Sequence, residues 1–366
     1  MNPQISQIEE DGDVYKFTLS DIDVSIANAL RRTILSEIPI NVIHTETHEE
    51  NQCTISINTT RLHNEIMKQR LSSIPIHMTD LDILPGKYVL EVDVINETDN
   101  IMFITSGDFR IKNKENGNYL TKTETDKIFP ANALTKHYID FARLRPKISD
   151  SIPGEQLKLS AEFSISNAKH NSMFNVVSKC AYGNTPDKVK ISESWEIIKT
   201  KLETEGSPSE DIAFQKKNYI LLDAQRQFVP NSFDFIIQTL GIYENKELVK
   251  KACAIMQNKF VDMLQWLESD TQLILNSETT IDNCYDIILE NEDYTIGKVL
   301  EYILYERFYL GDKSLSFCGF KKFHPHNKES TIRLAFNNST DRSMIKHVLT
   351  LACIDAQEVF KKLFNM

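Results

Sequence analysis

One stretch of this 366-residue chain occurs twice. A constant offset of 270 carries Tyr15 to Tyr285, Leu19 to Leu289, Asp23 to Asp293, Ile26 to Ile296 and Leu30 to Leu300. In that frame Ser25-Ile26-Ala27-Asn28-Ala29-Leu30 lies beside Thr295-Ile296-Gly297-Lys298-Val299-Leu300. A strand-like run precedes each copy, over residues 14–19 and 285–289. A repeat says that one structural unit is built twice. Two copies are too few for a solenoid, so the expectation is a pair of related modules packing on each other within one chain.

The first copy reads as a short amphipathic helix. Ile26, Ala27, Leu30, Ile34 and Ile38 fall on one stripe at helical spacing. Arg32 points opposite the stripe and Arg31 sits at its edge. Asp23 is placed to cap the N-terminus, and Pro39 lies just past the end. Taken alone, this pattern is that of a core helix with a solvated polar face.

Length and charge narrow the classes. A chain of this size buries about 75% of its unfolded surface and has a prior of two or three domains. Net charge is -11, which argues against gripping nucleic acid chiefly through its own phosphate contacts. It leaves membership of a nucleic-acid machine open. The six cysteines, at 53, 180, 253, 284, 318 and 353, include no closely spaced pair. A zinc knuckle built on local pairs is therefore not expected. Their scatter fits reduced, buried thiols of a cytosolic or nuclear protein. Residues 1–13 are polar and acidic and lack a signal-peptide core. No apolar run is long enough to span a bilayer.

Strands are predicted over residues 14–19, 40–43 and 54–57. Between the last two lies His44-Thr45-Glu46-Thr47-His48-Glu49-Glu50. On a strand, His44, Glu46 and His48 would share a face that could serve a metal. The alternative is a polar loop. Leu62, Ile66 and Leu71 then mark a helix stopped by Pro75. Its charges Glu65 and Arg70 read locally as surface groups. Further strands are expected around 88–94, 103–111 and 157–165, with a turn at 113–118. His170 follows without an apparent nucleophile or carboxylate partner and reads as structural.

A helix over 192–203, a flexible connection over 205–211 and a strand over 232–240 come next. A helix over 246–267 carries Leu248, Ala252, Ile255, Met263 and Leu267 on one stripe. After the polar joint Ser269-Asp270-Thr271-Gln272, the second module ends in a helix over 341–363. Its stripe is Ile345, Val348, Ala352, Ala356, Val359 and Leu363. Spacing alone allows both to be ordinary core helices.

Asn28-Ala29-Leu30-Arg31-Arg32, followed by Asn58-Thr59-Thr60, Arg70-Leu71 and Ile74-Pro75-Ile76, resembles the α-type assembly subunit of DNA-directed RNA polymerases. That family includes the bacterial α N-terminal domain, the archaeal D subunit and the third-largest subunit of RNA polymerase II. Asp293-Tyr294-Thr295-Ile296-Gly297-Lys298-Val299-Leu300, Phe317-Cys318-Gly319-Phe320 and Phe323-His324-Pro325 resemble its small L-type partner. The two are usually separate chains. Here they look fused, as among large DNA viruses that transcribe in the cytoplasm. The likeness covers nearly the whole chain and rests more on the order of the motifs than on any one of them. Two departures stand out. No cysteine occurs between Thr54 and Lys179, so the four-cysteine zinc loop of the polymerase II subunit is not expected. The glycine pair of the segment returning from the insert is also missing.

The resemblance implies an α+β fold of two related α/β dimerisation modules packed as an intramolecular pseudo-heterodimer. Residues 1–50 with 214–268 would form the first module, interrupted by a mostly β insert at 51–213. Residues 273–366 would form the L-type module. The two long helices would meet at a pseudo-two-fold interface. Tethering gives an effective concentration of order millimolar, so no homodimer is expected.

The implied function is a non-catalytic assembly platform docking two large catalytic subunits, with small subunits alongside and DNA contacted only through the complex. No catalytic residue, cofactor or metal is expected in this chain. Arg31 and Arg32 are the leading candidates for large-subunit contacts, because guanidinium forks suit carboxylate and backbone acceptors. Asn28, Glu65 and Arg70 come next, and Gly297 is expected to permit close backbone approach. Residence would be cytoplasmic for a viral enzyme, in the virion or viral factory, and nuclear for a cellular one. Two other classes fit parts of the sequence. One is a free-standing dimerisation module of a non-transcriptional complex. The other is a metal-dependent enzyme using His44, Glu46 and His48 or the His324-Pro325-His326 pair.

Overall fold

A computed structural model describes residues 1–149, 151–269 and 273–366. Asp270, Thr271 and Gln272 of the expected polar joint lie outside the described residues. The first part of the chain forms β1 (Gln4–Asp11), β2 (Val14–Ser20), α1 (Val24–Ser36), β3 (Ile40–Val42), β4 (Cys53–Asn58) and α2 (Asn64–Ser72). Then come β5 (Tyr88–Ile95), β6 (Met102–Thr105), β7 (Arg110–Asn113), α3 (Lys122–Ile128), β8 (Asp140–Leu144), β9 (Gln156–Glu162) and β10 (Ser164–Ser166). β11 (Val177–Pro186), α4 (Lys188–Thr204), α5 (Ser209–Leu221), β12 (Phe228–Thr239) and α6 (Asn245–Ser269) follow. The last part is β13 (Ile274–Asn276), β14 (Cys284–Glu290), α7 (Tyr294–Leu304), β15 (Leu315–Lys321), β16 (Glu329–Phe336) and α8 (Arg342–Phe364).

These elements form two compact units. One comprises residues 1–34, 179–238 and 245–366, the other residues 35–178 and 239–244. The sequence expectation put the insert at 51–213. In the structure β3 and the loop after it go with the second unit, while α4 and α5 go with the first.

The first unit contains the repeat. Its two four-stranded sheets run β1-β2-β12-β11 and β13-β14-β16-β15. The offset of 270 turns β2 and α1 into β14 and α7, so the two orders correspond position by position. Tyr15, Phe17 and Leu19 share one face of β2 and are all buried, while Thr18 on the other face is buried too and donates to Asp234. Phe17 pairs with Phe235, and their rings stack 5.1 Å apart. Its equivalent Ile287 pairs with Ile332. Both α1 and α7 are capped by the repeated aspartate. Asp23 Oδ1 accepts from Ser25 N at 2.7 Å, and Asp293 Oδ1 from Thr295 N at 2.8 Å. Ile26, Leu30, Ile296 and Leu300 are all buried.

α6 packs against α8. A second register emerges here, with an offset of 100. Leu248, Ala252, Cys253, Met256, Phe260 and Met263 correspond to Val348, Ala352, Cys353, Ala356, Phe360 and Leu363, and all twelve are buried. Phe260 and Phe360 stack with centroids 6.1 Å apart. The expected α6 stripe needs one correction. Ile255 lies at its margin, half-buried, and the seam runs through Met256 and Phe260 instead. The α8 stripe is buried as expected, including Ile345 and Val359.

α4 and α5 close over a small core of Trp195, Tyr219 and Ala224, with Ile191 and Ile212 against it. The connection expected over 205–211 is shorter than that. α5 begins at Ser209 with Glu210 and Asp211 in its first turn, where carboxylates complement the helix dipole.

The second unit is mostly β. Its sheet runs β4-β9-β5-β7, with two-stranded pairs β6-β8 and β10-β3. Its core gathers Leu90, Val92, Phe109, Phe141, Leu157 and Leu159. The run 103–111 is not one strand, because Thr105 and Asp108 form a capping box around the turn Ser106–Asp108. The run 157–165 breaks at Phe163, beyond which β10 pairs with β3 rather than continuing β9's ladders. On α2 the buried apolar residues are Met67 and Leu71, while Ile66 is exposed. Among the described residues, no helix is long and apolar enough to cross a membrane.

Candidate assembly interface

α1 presents its polar face through Asn28, Arg31 and Arg32, all half-buried. Asn28 and Arg31 lie one turn apart, and Asn28 Oδ1 accepts from Arg31 Nε at 3.1 Å and from a terminal nitrogen at 2.9 Å. That pair fixes the guanidinium on the helix flank. Arg31 also lies close to β11, where its charge acts on Cys180 and Tyr182. Burial dominates at both and pushes the Cys180 thiol up to about 12.

Arg32 is engaged inside the first unit. Its Nε donates to Thr295 Oγ1 at 2.9 Å and its Nη2 to Asp293 Oδ2 at 2.6 Å. The N-terminus of α7 is therefore held by an arginine of α1, through the same aspartate that caps it. Tyr302, the α7 equivalent of Arg32, has its hydroxyl pKa raised by burial, then by Glu306 and by Asp23, the cap of α1. Lys259 of α6 adds an ion pair to Glu292, just before α7, at 3.3 Å.

We expect the Arg32→Ala change to lower unfolding free energy by about 1 kcal/mol, given that the pair is about one-third exposed. Urea unfolding of a double-mutant cycle with Asp293→Asn checks this. Simple additivity of the two changes would show that the contact contributes nothing of its own.

Glu65 and Arg70 lie on α2 in the second unit. Glu65 is almost fully exposed, with His63 as its neighbour at 3.9 Å. Arg70 is a structural group rather than a free surface charge. It donates to the carbonyls of Phe141 and Asp140, both at 2.7 Å, tying α2 to β8. Gly297 approaches an aromatic ring rather than a backbone, and a Cβ there would overlap the Phe320 ring. Thr295, Glu292 and Lys259 were missed by sequence reasoning. The repeat held the one available signal, since it aligned Asp293 with the cap Asp23.

The metal-ligand candidates are also rearranged. Residues 43–52 form a loop, closed by Gln52 N donating to His44 O at 2.8 Å. His44, Glu46 and His48 therefore share no strand face, and Glu46 and His48 are exposed. His44 instead meets Glu50 and His170. Burial, and next the neighbouring His170, hold the His44 imidazole below the ordinary histidine value. In the other pair, His324 Nδ1 accepts from the backbone of His326 at 3.2 Å.

Two modules with one strand order and paired long helices make the first unit an α+β scaffold. The chain belongs to the RNA polymerase Rpb3/Rpb11 dimerisation domain family, whose model matches residues 16–260. It is 26% identical over 291 residues to the DNA-directed RNA polymerase subunit Rpo3 of Pyrococcus furiosus, covering 73% of this chain and 98% of that protein. The Rpo3 subunit of Thermococcus kodakarensis is 25% identical over 274 residues, 69% of this chain and 93% of that one. A shorter match, 40% over 74 residues, links 20% of the chain to 21% of subunit 3B of RNA polymerases IV and V from Arabidopsis thaliana.

Proposed function

We propose that this chain is a non-catalytic assembly platform of a multisubunit DNA-directed RNA polymerase. The observation that carries this most is the family match together with near full-length likeness to archaeal Rpo3 subunits. The chain would dock two large catalytic subunits, and phosphodiester formation would occur on those subunits.

Residues 273–366 lie beyond the family match, yet repeat its strand order and its capped helix. That repetition supports reading the C-terminal module as a fused small partner, packed on the first module as a pseudo-heterodimer. The packing of α6 on α8 supports the same reading. Fusion tilts the source towards a virus that transcribes in the cytoplasm. Arg31, pre-oriented by Asn28, is the preferred contact to a large subunit. Arg32 serves the scaffold first.

A tagged pull-down from the native source, with the eluate assayed for template-dependent RNA synthesis, tests the proposal. Two very large chains and activity are the expected result. Arg31→Glu in the tagged chain should lower recovery of those chains about tenfold or more, because reversal places like charges at a docking surface, while its melting stays near that of the parent. Recovery of the chain alone, with polymerase activity eluting elsewhere, would overturn the platform reading.

A further inference from the structure

We infer that His44, Glu50 and His170 bind a divalent transition-metal ion of the zinc class within the second unit. Ligand atoms from the three side chains all lie within 4.8 Å of one another. His170 Nε2 and Glu50 Oε2 are 3.4 Å apart. A tetrahedral ion with bonds of about 2.0–2.2 Å places its ligands roughly 3.3–3.6 Å apart, so this pair already has the required separation. The His44 ring closes the triangle, meeting the His170 ring edge-on with centroids 5.1 Å apart. Phe174 packs on His44 at 5.2 Å and steadies it from another direction.

The donor set decides the kind of ion. Two imidazoles and one carboxylate suit zinc and its neighbours, whereas calcium and magnesium take oxygen ligands. Among the described residues this is the one group of three such side chains at that spacing. Three protein ligands leave a fourth position for water.

The backbones that carry the ligands are already held. His44 N donates to Gln52 Oε1 at 3.2 Å, and Gln52 N returns a bond to His44 O. His170 N donates to Asn167 O at 3.2 Å, and Lys169 N to Ser36 O at 2.7 Å. Only small side-chain movements separate this arrangement from coordination. The ligands flank the long excursion between residues 50 and 170. An ion there would join the loop after β3 to the segment after β10, beside the β3–β10 pairing, and, bound by the folded chain alone, would stabilise it by mass action.

Calorimetric titration of the chelator-stripped full chain with zinc chloride tests this. One site with micromolar or tighter affinity is expected, with an increase in melting temperature. His170→Asn, Glu50→Gln and His44→Asn should each weaken binding by more than about tenfold, while His324→Asn leaves it unchanged. His44 is half-buried and its variant could lose stability. His170 and Glu50, about 45% and 47% exposed, keep the test decisive, with circular dichroism confirming their folds. No binding at tens of micromolar zinc would overturn the inference. So would affinity that survives both His170→Asn and Glu50→Gln, or that follows the His324–His326 pair instead.

Discussion

Replacing Phe260 by alanine should lower the unfolding free energy by about 3–5 kcal/mol. Phe260 is fully buried at the seam of α6 and α8, and its ring stacks on that of Phe360. The loss has two parts: the transfer free energy of the ring, and a cavity that the surrounding helices cannot fully close. Cavity collapse is resisted because both helices are long and their neighbouring seam positions, Met256, Met263, Ala356 and Leu363, are themselves buried. Phe360→Ala should cost a similar amount. The double variant should be less destabilised than the sum by about 0.5–1.5 kcal/mol, the contribution of an aromatic pair beyond its area. Urea denaturation followed by circular dichroism measures all three. A loss under about 1 kcal/mol for Phe260→Ala would mean that the helices do not pack at this seam in solution.

Gly297→Ala should destabilise the chain by about 1–2 kcal/mol, although alanine is the better helix former. Helix propensity alone favours alanine by about 1 kcal/mol. Against it stands the ring of Phe320, three of whose carbons overlap the place where the new Cβ would sit. The ring is not a flexible end that swings away cheaply. It is 8% exposed, meets the Tyr294 ring edge-on at 5.2 Å, and its own backbone N donates to Glu301 Oε1 at 3.2 Å. Overpacking of this kind costs about 1–3 kcal/mol and occasionally more. Combining Gly297→Ala with Phe320→Leu should recover part of the loss, since the smaller side chain vacates the space. Thermal melting of the two variants decides it. A Gly297→Ala protein more stable than the parent would mean that Phe320 is not seated on α7.

The α1 repeat shows how far the residues alone go. In that position α1 has Ala27, which is fully buried, where α7 has Gly297. The repeat predicts two copies of one helix but cannot say why one copy needs glycine, because Phe320 arrives from β15. Similarly, the expected α6 stripe holds at Leu248, Ala252, Met263 and Leu267. It fails at Ile255, because a helical period tolerates a neighbouring apolar position until a partner helix selects the seam. The offset of 100 between α6 and α8 is present in the sequence as Ala252-Cys253 and Ala352-Cys353. Its significance depends on seeing the two helices face each other.

By itself, the sequence determined the doubled module, the capped helices, the alternating strands and the family motifs. Each is a local pattern written in residue spacing, and local hydrogen bonding or one-sided burial suffices to produce it. Only the tertiary structure decided the partners of the charged and polar groups. Arg32 reads locally as a solvated cation, yet it holds the N-terminus of α7, 261 residues away. Arg70 reads as a surface charge, yet it binds two carbonyls of β8. His44, Glu50 and His170 form a group only when the chain returns from its long excursion. Apolar periodicity reports which face of an element is buried, whereas an ion pair or a metal ligand set depends on where distant segments meet, and spacing along the chain carries no record of that distance.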